Sequence, residues 1–268
     1  IGWRGYLHHE NYYPWNHAFC GDIDICGFKR PQSYYRDVLW GEGDQLSIFV
    51  KPPIPSFPEK EDRKSWSKWH WHDHVASWNW KGYEKQPLEV YVYSGHEKVE
   101  LFLNGKSLGS KKSGLENEFI TSWNVPYKKG ELKVVATTMD GKSVIKTLKT
   151  ARKPSEIKLK ADKKELVANG QDLCFITVEL IDKRGLRHPE TNNLIEFELE
   201  GPGEILAVGS SNPMSTESFK QPKRKAYKGR CLVVVKAGKT QGSITLTAKS
   251  KGLKKTSMIL TTKRIGND

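Results

Sequence analysis

The sequence predicts a mainly β protein, two tandem β-sandwiches preceded by a short loop-and-helix segment. Three observations predict it. From about residue 45 onward apolar side chains recur with a period of two, the signature of half-buried strands. Turn signals built on Asn, Asp and Gly separate these runs at strand-length intervals. Only residues 31–40 carry a helical pattern.

Residues 1–44 begin as an aromatic loop (Trp3, Tyr6, Tyr12, Tyr13, Trp15, Phe19) that runs into Gly21-Asp-Ile-Asp-Ile-Cys-Gly-Phe28. Pro31 suits a first helical turn, where its missing N–H is no loss. Tyr34, Tyr35, Val38 and Leu39 supply an apolar stripe, and Gly41 and Gly43 stop the helix near Trp40. One helix of roughly ten residues buries too little surface to stand alone, so it must pack against something.

Residues 45–152 form the first predicted sandwich. Gln45–Val50 reads as a strand, and Pro52, Pro53, Pro55 and Pro58 break it into an extended loop. Leu88–Tyr93, Val99–Leu103, Lys106–Gly109, Leu132–Thr138 and Ser143–Thr150 follow, with Asn104-Gly105 as a type I′ hairpin turn and residues 139–142 as a second. Pro154 marks a restart, and residues 153–268 make the second sandwich. Its strands are Ile157–Ala161, Cys174–Ile181, Leu194–Leu199, Cys231–Val235, Ser243–Ala248 and Met258–Thr262. Turns fall at Asn169-Gly170, Asp182–Gly185 and Gly201–Gly203. This strand spacing is that of immunoglobulin-like sandwiches.

The formal charge of +13 lies wholly downstream of residue 50, because residues 1–50 hold four basic and six acidic side chains. The lysines are scattered through strands (Lys158, Lys160, Lys249), and the densest run, Lys223-Arg224-Lys225, is expected in a loop. Nucleic-acid surfaces interleave such charge with aromatics. After residue 130 the aromatics are Phe175, Phe197, Phe219 and Tyr227 alone, so no nucleic-acid partner is expected. No apolar run reaches the ~18 residues of a membrane span, and none is expected. The chain opens on Ile1 without an initiator Met or signal-peptide pattern, as a piece of a longer chain would.

Four cysteines do not make a disulfide scaffold. Cys20 and Cys26 lack metal spacing. Cys174 and Cys231 fall in strands of one module, where either a bridge or two free thiols is compatible with the sequence.

Trp69-His-Trp-His-Asp-His74 is the most conspicuous run. On a strand His70, His72 and His74 share one face, which either begins a metal site or sets surface histidines in an aromatic loop; the second reading is preferred, and no metal or cofactor is expected. Trp66, Trp69, Trp71, Trp78 and Trp80 offer either a sugar-stacking platform or rings that seal the first sandwich. A glycosidase needs two carboxyl groups roughly 5–10 Å apart across a cleft. Asp22 and Asp24 are the closely spaced acids in a candidate cleft loop, and no nucleophile elbow, phosphate loop or His-Glu-x-x-His occurs. No catalytic residues are assigned.

Residues Trp15 to Trp40, with Gly21-Asp-Ile-Asp-Ile-Cys-Gly-Phe28 and Tyr34-Tyr35, resemble the end of the catalytic barrel in glycoside hydrolase family 2, the β-galactosidase and β-glucuronidase family. Val90-Tyr-Val-Tyr-Ser94, Val99-Glu-Leu-Phe-Leu-Asn-Gly-Lys-Ser-Leu-Gly109 and Trp123-Asn-Val-Pro-Tyr127 are similar to the Ig-like module that follows that barrel in Bacteroidetes-type members. Asp172–Asp182, Gly201–Ile205 and Gly209–Phe219 resemble the bacterial Ig-like domain at the C-terminus of the same enzymes. The resemblance implies that residues 1–44 are the loop and last helix of a (β/α)8 barrel. It implies a retaining hydrolase of terminal β-glycosidic bonds whose two catalytic glutamates lie upstream of Ile1, so that this chain alone is inactive. Loops after barrel strands form the active-site face, which makes Trp15, His17 and Asp22 candidate substrate-binding residues. A carbohydrate substrate reached through the parent barrel, a periplasmic or secreted location and a freedom to oligomerise complete the expectation. A stand-alone carbohydrate-binding or adhesion protein is the alternative.

Overall fold

In the computed structural model, which describes residue 14 and residues 21–55, 73–138 and 140–264, the predicted helix forms first in chain order. Helix α1 spans Pro31–Leu39, with Pro31 at its first turn. It closes in a Schellman arrangement: the Glu42 N–H donates to Asp37 O (2.8 Å), the Gly41 N–H donates to Val38 O (3.2 Å), and Gly41 takes the left-handed φ of 72° that this stop requires.

Residues 21–150 and residues 151–264, as far as described, fall into two compact units. The first is a sandwich of two sheets. Strands β1 (Leu46–Val50), β2 (Pro87–Ser94), β3 (Lys98–Leu103), β4 (Lys106–Lys112), β5 (Ile120–Pro126), β6 (Glu131–Thr137) and β7 (Ser143–Lys149) pair in the orders β1-β2-β5 and β4-β3-β6-β7. Leu46, Ile48, Val50, Leu88, Val90, Val92, Trp123 and Val125 from one sheet meet Val99, Leu101, Leu132, Val134 and Ala136 from the other. Alternation along each strand puts these residues on one face. Trp78 is fully buried in this core, and its Nε1–H donates to Lys128 O (2.9 Å). Of the expected tryptophan cluster, Trp78 therefore packs inside and Trp80 is half-buried against the same core. Trp66, Trp69 and Trp71 lie outside the described residues.

Strand β1 breaks the alternation, since all five of its residues are buried. Its outward side chains, with Tyr93 of β2, are covered by α1. Val38, Phe49 and Tyr93 form a second small core, with Tyr35 and Tyr91 packed against it. The Tyr35 ring meets Tyr93 edge-on at 5.5 Å, and Tyr34 lies 5.6 Å from Phe49. Each such ring contributes on the order of 1.5–3 kcal/mol when fully buried. The expected stripe is only partly used: Val38 is buried and Tyr35 half-buried, while Leu39 is 44% exposed. Gln32 is buried instead, its Nε2 donating to Gly21 O (2.6 Å).

The Asn104-Gly105 hairpin forms as expected, both residues having positive φ. The Asn104 side chain then clasps the neighbouring turn, accepting from the Glu131 N–H (2.8 Å) and donating to Lys129 O (3.0 Å). That approach demands glycine at 130, where a Cβ would lie 1.8 Å from Asn104 Oδ1.

The second unit contains β8 (Glu156–Ala161), β9 (Glu165–Val167), β10 (Leu173–Ile181), β11 (Leu194–Glu200), β12 (Gly203–Gly209), β13 (Lys223–Lys225), β14 (Arg230–Ala237), β15 (Gly242–Lys249) and β16 (Thr256–Lys263). The sheets run β12-β14-β10-β8 and β13-β11-β15-β16-β9, the last pair parallel. Ile176, Val178, Leu180, Val233, Val235, Ile195, Phe197, Ile244, Leu246 and Leu260 fill the space between them. Cys174 and Cys231 are buried, and no disulfide joins them. Cys174 sits opposite Val235 and Cys231 opposite Val178, so four residues of strand, roughly 13 Å, separate them along the ladder. A bridge is ruled out by the ~7 Å reach of a disulfide.

One expectation is corrected. The Lys223-Arg224-Lys225 run is not a loop: it is strand β13, paired with β11, and Arg224 is 1% exposed. Its guanidinium donates to Val208 O from Nε (3.1 Å) and Nη2 (2.6 Å), and to Ser215 Oγ (3.2 Å) and Glu217 O (3.0 Å) from Nη1. The Phe219 ring lies 4.7 Å beneath it. Charge alone suggested solvent; only the carbonyls of the 208–219 strap explain the burial.

Asp182 is a second buried ion in this unit. Burial pushes its carboxyl up, but the backbone N–H groups of Arg152, Leu186 and Arg184 and the Arg184 guanidinium outweigh this and hold it at about 2. Arg224→Ala should cost about 2–4 kcal/mol, because it strands two carbonyls, Val208 O and Glu217 O; chemical denaturation with an unchanged m-value reads it. A carboxylate whose folded pKa is depressed stabilises above its unfolded value and loses that contribution as pH falls. Asp182→Asn should therefore flatten the decline in stability between about pH 4 and pH 2, a difference of about 2 kcal/mol.

Candidate functional site

The loop 21–30 ahead of α1 is ordered by its own acids. Asp24 is buried, and its Oδ1 accepts from the Cys26 N–H (2.9 Å) and the Phe28 N–H (3.0 Å). An Asp placed two residues before an N–H is suited to this, since its short side chain mimics a backbone turn. Ile23 and Lys29 then form an antiparallel bridge across the loop. Asp22 is tied to the helix, its Oδ2 lying 2.7 Å from Arg36 Nε, while its carbonyl accepts from the Arg30 N–H (2.9 Å). Both groups of that pair are about a third exposed, so it contributes roughly 0.2–1 kcal/mol. Asp24 is thus engaged within the loop and Asp22 with the helix, and the two are not opposed as a glycosidase pair. Trp15 and His17 lie outside the described residues.

Next to the α1 contact, the outer face of β2 carries a polar network. His74 is buried, with its ring stacked on Tyr91 at 4.0 Å between centroids, and its Nδ1 shares a 2.5 Å hydrogen bond with the Tyr93 hydroxyl. The Tyr91 hydroxyl donates to Glu89 Oε2 (2.5 Å), and Lys51 Nζ donates to Glu89 Oε1 (3.1 Å). Burial, then the Glu89 carboxylate, pushes the Tyr91 phenol up to about 12; burial, above all, raises Tyr93 as well. The Tyr91 hydrogen bond and Lys51 hold Glu89 below the usual carboxylate range. The sequence held a signal for this face: Val90-Tyr-Val-Tyr alternates, so the two tyrosines must share the side away from the core. What it did not show is that His74 closes over them. His70 and His72 lie outside the described residues. Among the described residues no three His, Cys, Asp or Glu side chains gather as a metal site, and no helix is long and apolar enough to cross a membrane.

Comparison with known proteins places these modules. Residues 157–259 match the family model described as glycoside hydrolase family 2 C-terminal domain 5, and residues 85–145 match a domain of unknown function. The β-galactosidase BoGH2A of Bacteroides ovatus is 34% identical over 94% of this chain, which spans 27% of that protein. A putative β-glucuronidase of Formosa agariphila is 31% identical over 76% of the chain, spanning 18% of it. A solved glycosyl hydrolase family 2 member from Bacteroides cellulosilyticus superposes with a TM-score of 0.90 at 44% identity, covering 98% of this chain and 34% of that one. The chain therefore spans about a third or less of these relatives.

The tyrosine network makes a testable statement. A phenol whose folded pKa lies above its unfolded value of ~10 stabilises below that value and loses the contribution as pH rises through the folded one. Ultraviolet titration should show at least two phenols still protonated at pH 11, and stability should decline between about pH 10 and 12. In Tyr91→Phe that decline should be smaller.

Proposed function

We propose that this chain, a C-terminal portion of glycoside hydrolase family 2 of the β-galactosidase and β-glucuronidase type, is the non-catalytic accessory region of a retaining enzyme that cleaves terminal β-glycosidic bonds, a β-galactosidase in the first instance. The observation that carries the reading is the state of the acids in loop 21–30. Retaining hydrolysis needs two carboxyl groups ~5 Å apart, one protonated and one free to attack. Asp22 faces Arg36 through one carboxylate oxygen and Asp24 accepts two backbone N–H groups, so the two are not opposed as an acid and a nucleophile. The catalytic pair then belongs to the portion of the enzyme that this chain does not contain.

On this reading α1 and its loop are the last barrel elements, and the apolar contact of Val38 with Phe49 and Tyr93 fastens them to the first sandwich. Asp22, together with Trp15 and His17, borders the sugar pocket in the intact enzyme, and the Arg36 pair fixes where the Asp22 carboxylate points. Identity of 34% with a named β-galactosidase supports the substrate class, although the β-glucuronidase relatives are nearly as similar. The parent enzyme works in the periplasm or outside the cell.

The test assays this chain and its full-length parent on chromogenic β-galactoside and β-glucuronide. The chain alone should show no turnover, and the parent should prefer the galactoside. Turnover by the isolated chain at enzyme-like rates refutes the accessory assignment; a preference for the glucuronide overturns the substrate. In the parent, Asp22→Ala should raise KM more than it lowers kcat, as loss of a binding contact does.

A further inference from the structure

The two sheets of the second unit present different outer faces. On the five-stranded sheet that face carries Glu196, Glu198 and Glu200 of β11 beside Thr245, Thr247 and Lys249 of β15, with Leu194 and Ile259 as apolar exceptions. This is the polar surface expected of a sheet that faces water. The four-stranded sheet differs. Phe175 of β10 stands opposite Val234 of β14, which stands opposite Ala207 of β12, and Thr177 stands opposite Leu232. Directly paired residues share a face, so these form one apolar tract, in which Phe175 is 44% exposed.

Two cations border the tract. Lys160 pairs with Thr177 and Lys158 with Glu179 across the β8–β10 ladder, so both project to the same side as Phe175. Both are exposed, and neither has an ion-pair partner among the described residues. Glu156, two residues before Lys158 on β8, shares this side and has no ion-pair partner among the described residues, while the other acids nearby are engaged. Glu179 faces Arg187 (3.7 Å), Glu204 pairs with Lys236, and Asp162 accepts the N–H groups of Lys163 (2.8 Å) and Phe175 (2.9 Å).

We propose that this outer face, formed by β12, β14, β10 and β8, binds an acidic polysaccharide, with Phe175 stacking on a sugar ring and Lys158 and Lys160 engaging its carboxylates. Charge complementarity selects the occupant: an apolar ring suits the C–H face of a pyranose, and two unneutralised ammonium groups beside it favour anionic sugars over neutral ones. An open face four strands wide, roughly 14 Å across, suits a polymer better than a small molecule. Nucleic acid is disfavoured because base stacking uses several aromatics along a groove, and this face offers one. Binding to this face is read directly, so its test needs no turnover.

Affinity electrophoresis of the whole chain in gels containing polygalacturonate or neutral galactan provides that test, with calorimetry for Kd. Polygalacturonate should retard the chain and galactan should not. Lys158→Glu with Lys160→Glu, and separately Phe175→Ala, should each weaken binding by at least about tenfold. Lys158→Gln with Lys160→Gln is the gentler pair should charge reversal perturb folding, as read by circular dichroism. An equal reversal on the other sheet, Lys223→Glu with Lys225→Glu, should leave binding within a factor of about two. No retardation, equal loss in that control, or tighter binding of double-stranded DNA that is indifferent to Phe175→Ala would each overturn the proposal. The first two outcomes leave the catalytic reading of the parent untouched.

Discussion

The first unit depends on one constraint: a three-stranded sheet with apolar side chains on both faces must be covered on both. The face carrying Ile48, Val50, Val90 and Val92 is covered by the opposite sheet, as in any sandwich. The face carrying Phe49 and Tyr93 has no sheet to meet, and α1 takes that place through Val38, Tyr34 and Tyr35. The helix is too short to be stable alone, so helix and sheet stabilise each other. The polar details follow from this arrangement. Asp22 reaches Arg36 because the loop must enter the helix close to the sheet, and His74 lies over Tyr91 and Tyr93 because the rest of that face also needs a lid.

The second unit meets the same demand differently. Its two sheets cover each other with an aliphatic core, and the two ions inside it are retained because each is almost saturated with hydrogen bonds. Arg224 gathers the carbonyls of Val208, near the end of β12, and of Glu217 in the loop that follows, while Asp182 gathers three backbone N–H groups. An unsatisfied buried ion would cost several kcal/mol, so these residues fix the path of the chain around them. The family assignment agrees with this division of labour: matched models cover a stretch of each unit, and both units are built to hold shape.

Most of the strands could be read from the sequence, because alternation and turn chemistry act over a few residues. Gln45–Val50, the Asn104-Gly105 hairpin and the long strands beginning near Cys174 and Cys231 needed nothing beyond local pattern. Strands β9 and β13, three residues each, and β12, whose register shifts between Ile205 and Ala207, carry too little period to be recognised, whereas β5 was overlooked although its seven residues alternate cleanly. Arg224 was misread for a related reason, since a basic triplet looks the same whether its central residue faces water or a set of carbonyls. The candidate site was less legible. Asp22 and Asp24 could be picked out as closely spaced acids, but their spacing could not show that both were already engaged.

The sequence by itself determined the class of fold, the position of the helix and the family, for these rest on periodicity, on a few glycines and prolines, and on motifs contiguous in the chain. Only the tertiary structure decided which side chains are spent on holding the fold and which remain free to act. Asp24, His74, Trp78, Asp182 and Arg224 are all drawn inward, whereas Phe175, Lys158 and Lys160 are left facing out. The physical reason is that burial and hydrogen-bond satisfaction are settled by partners tens of residues away, and no local pattern records where those partners will be.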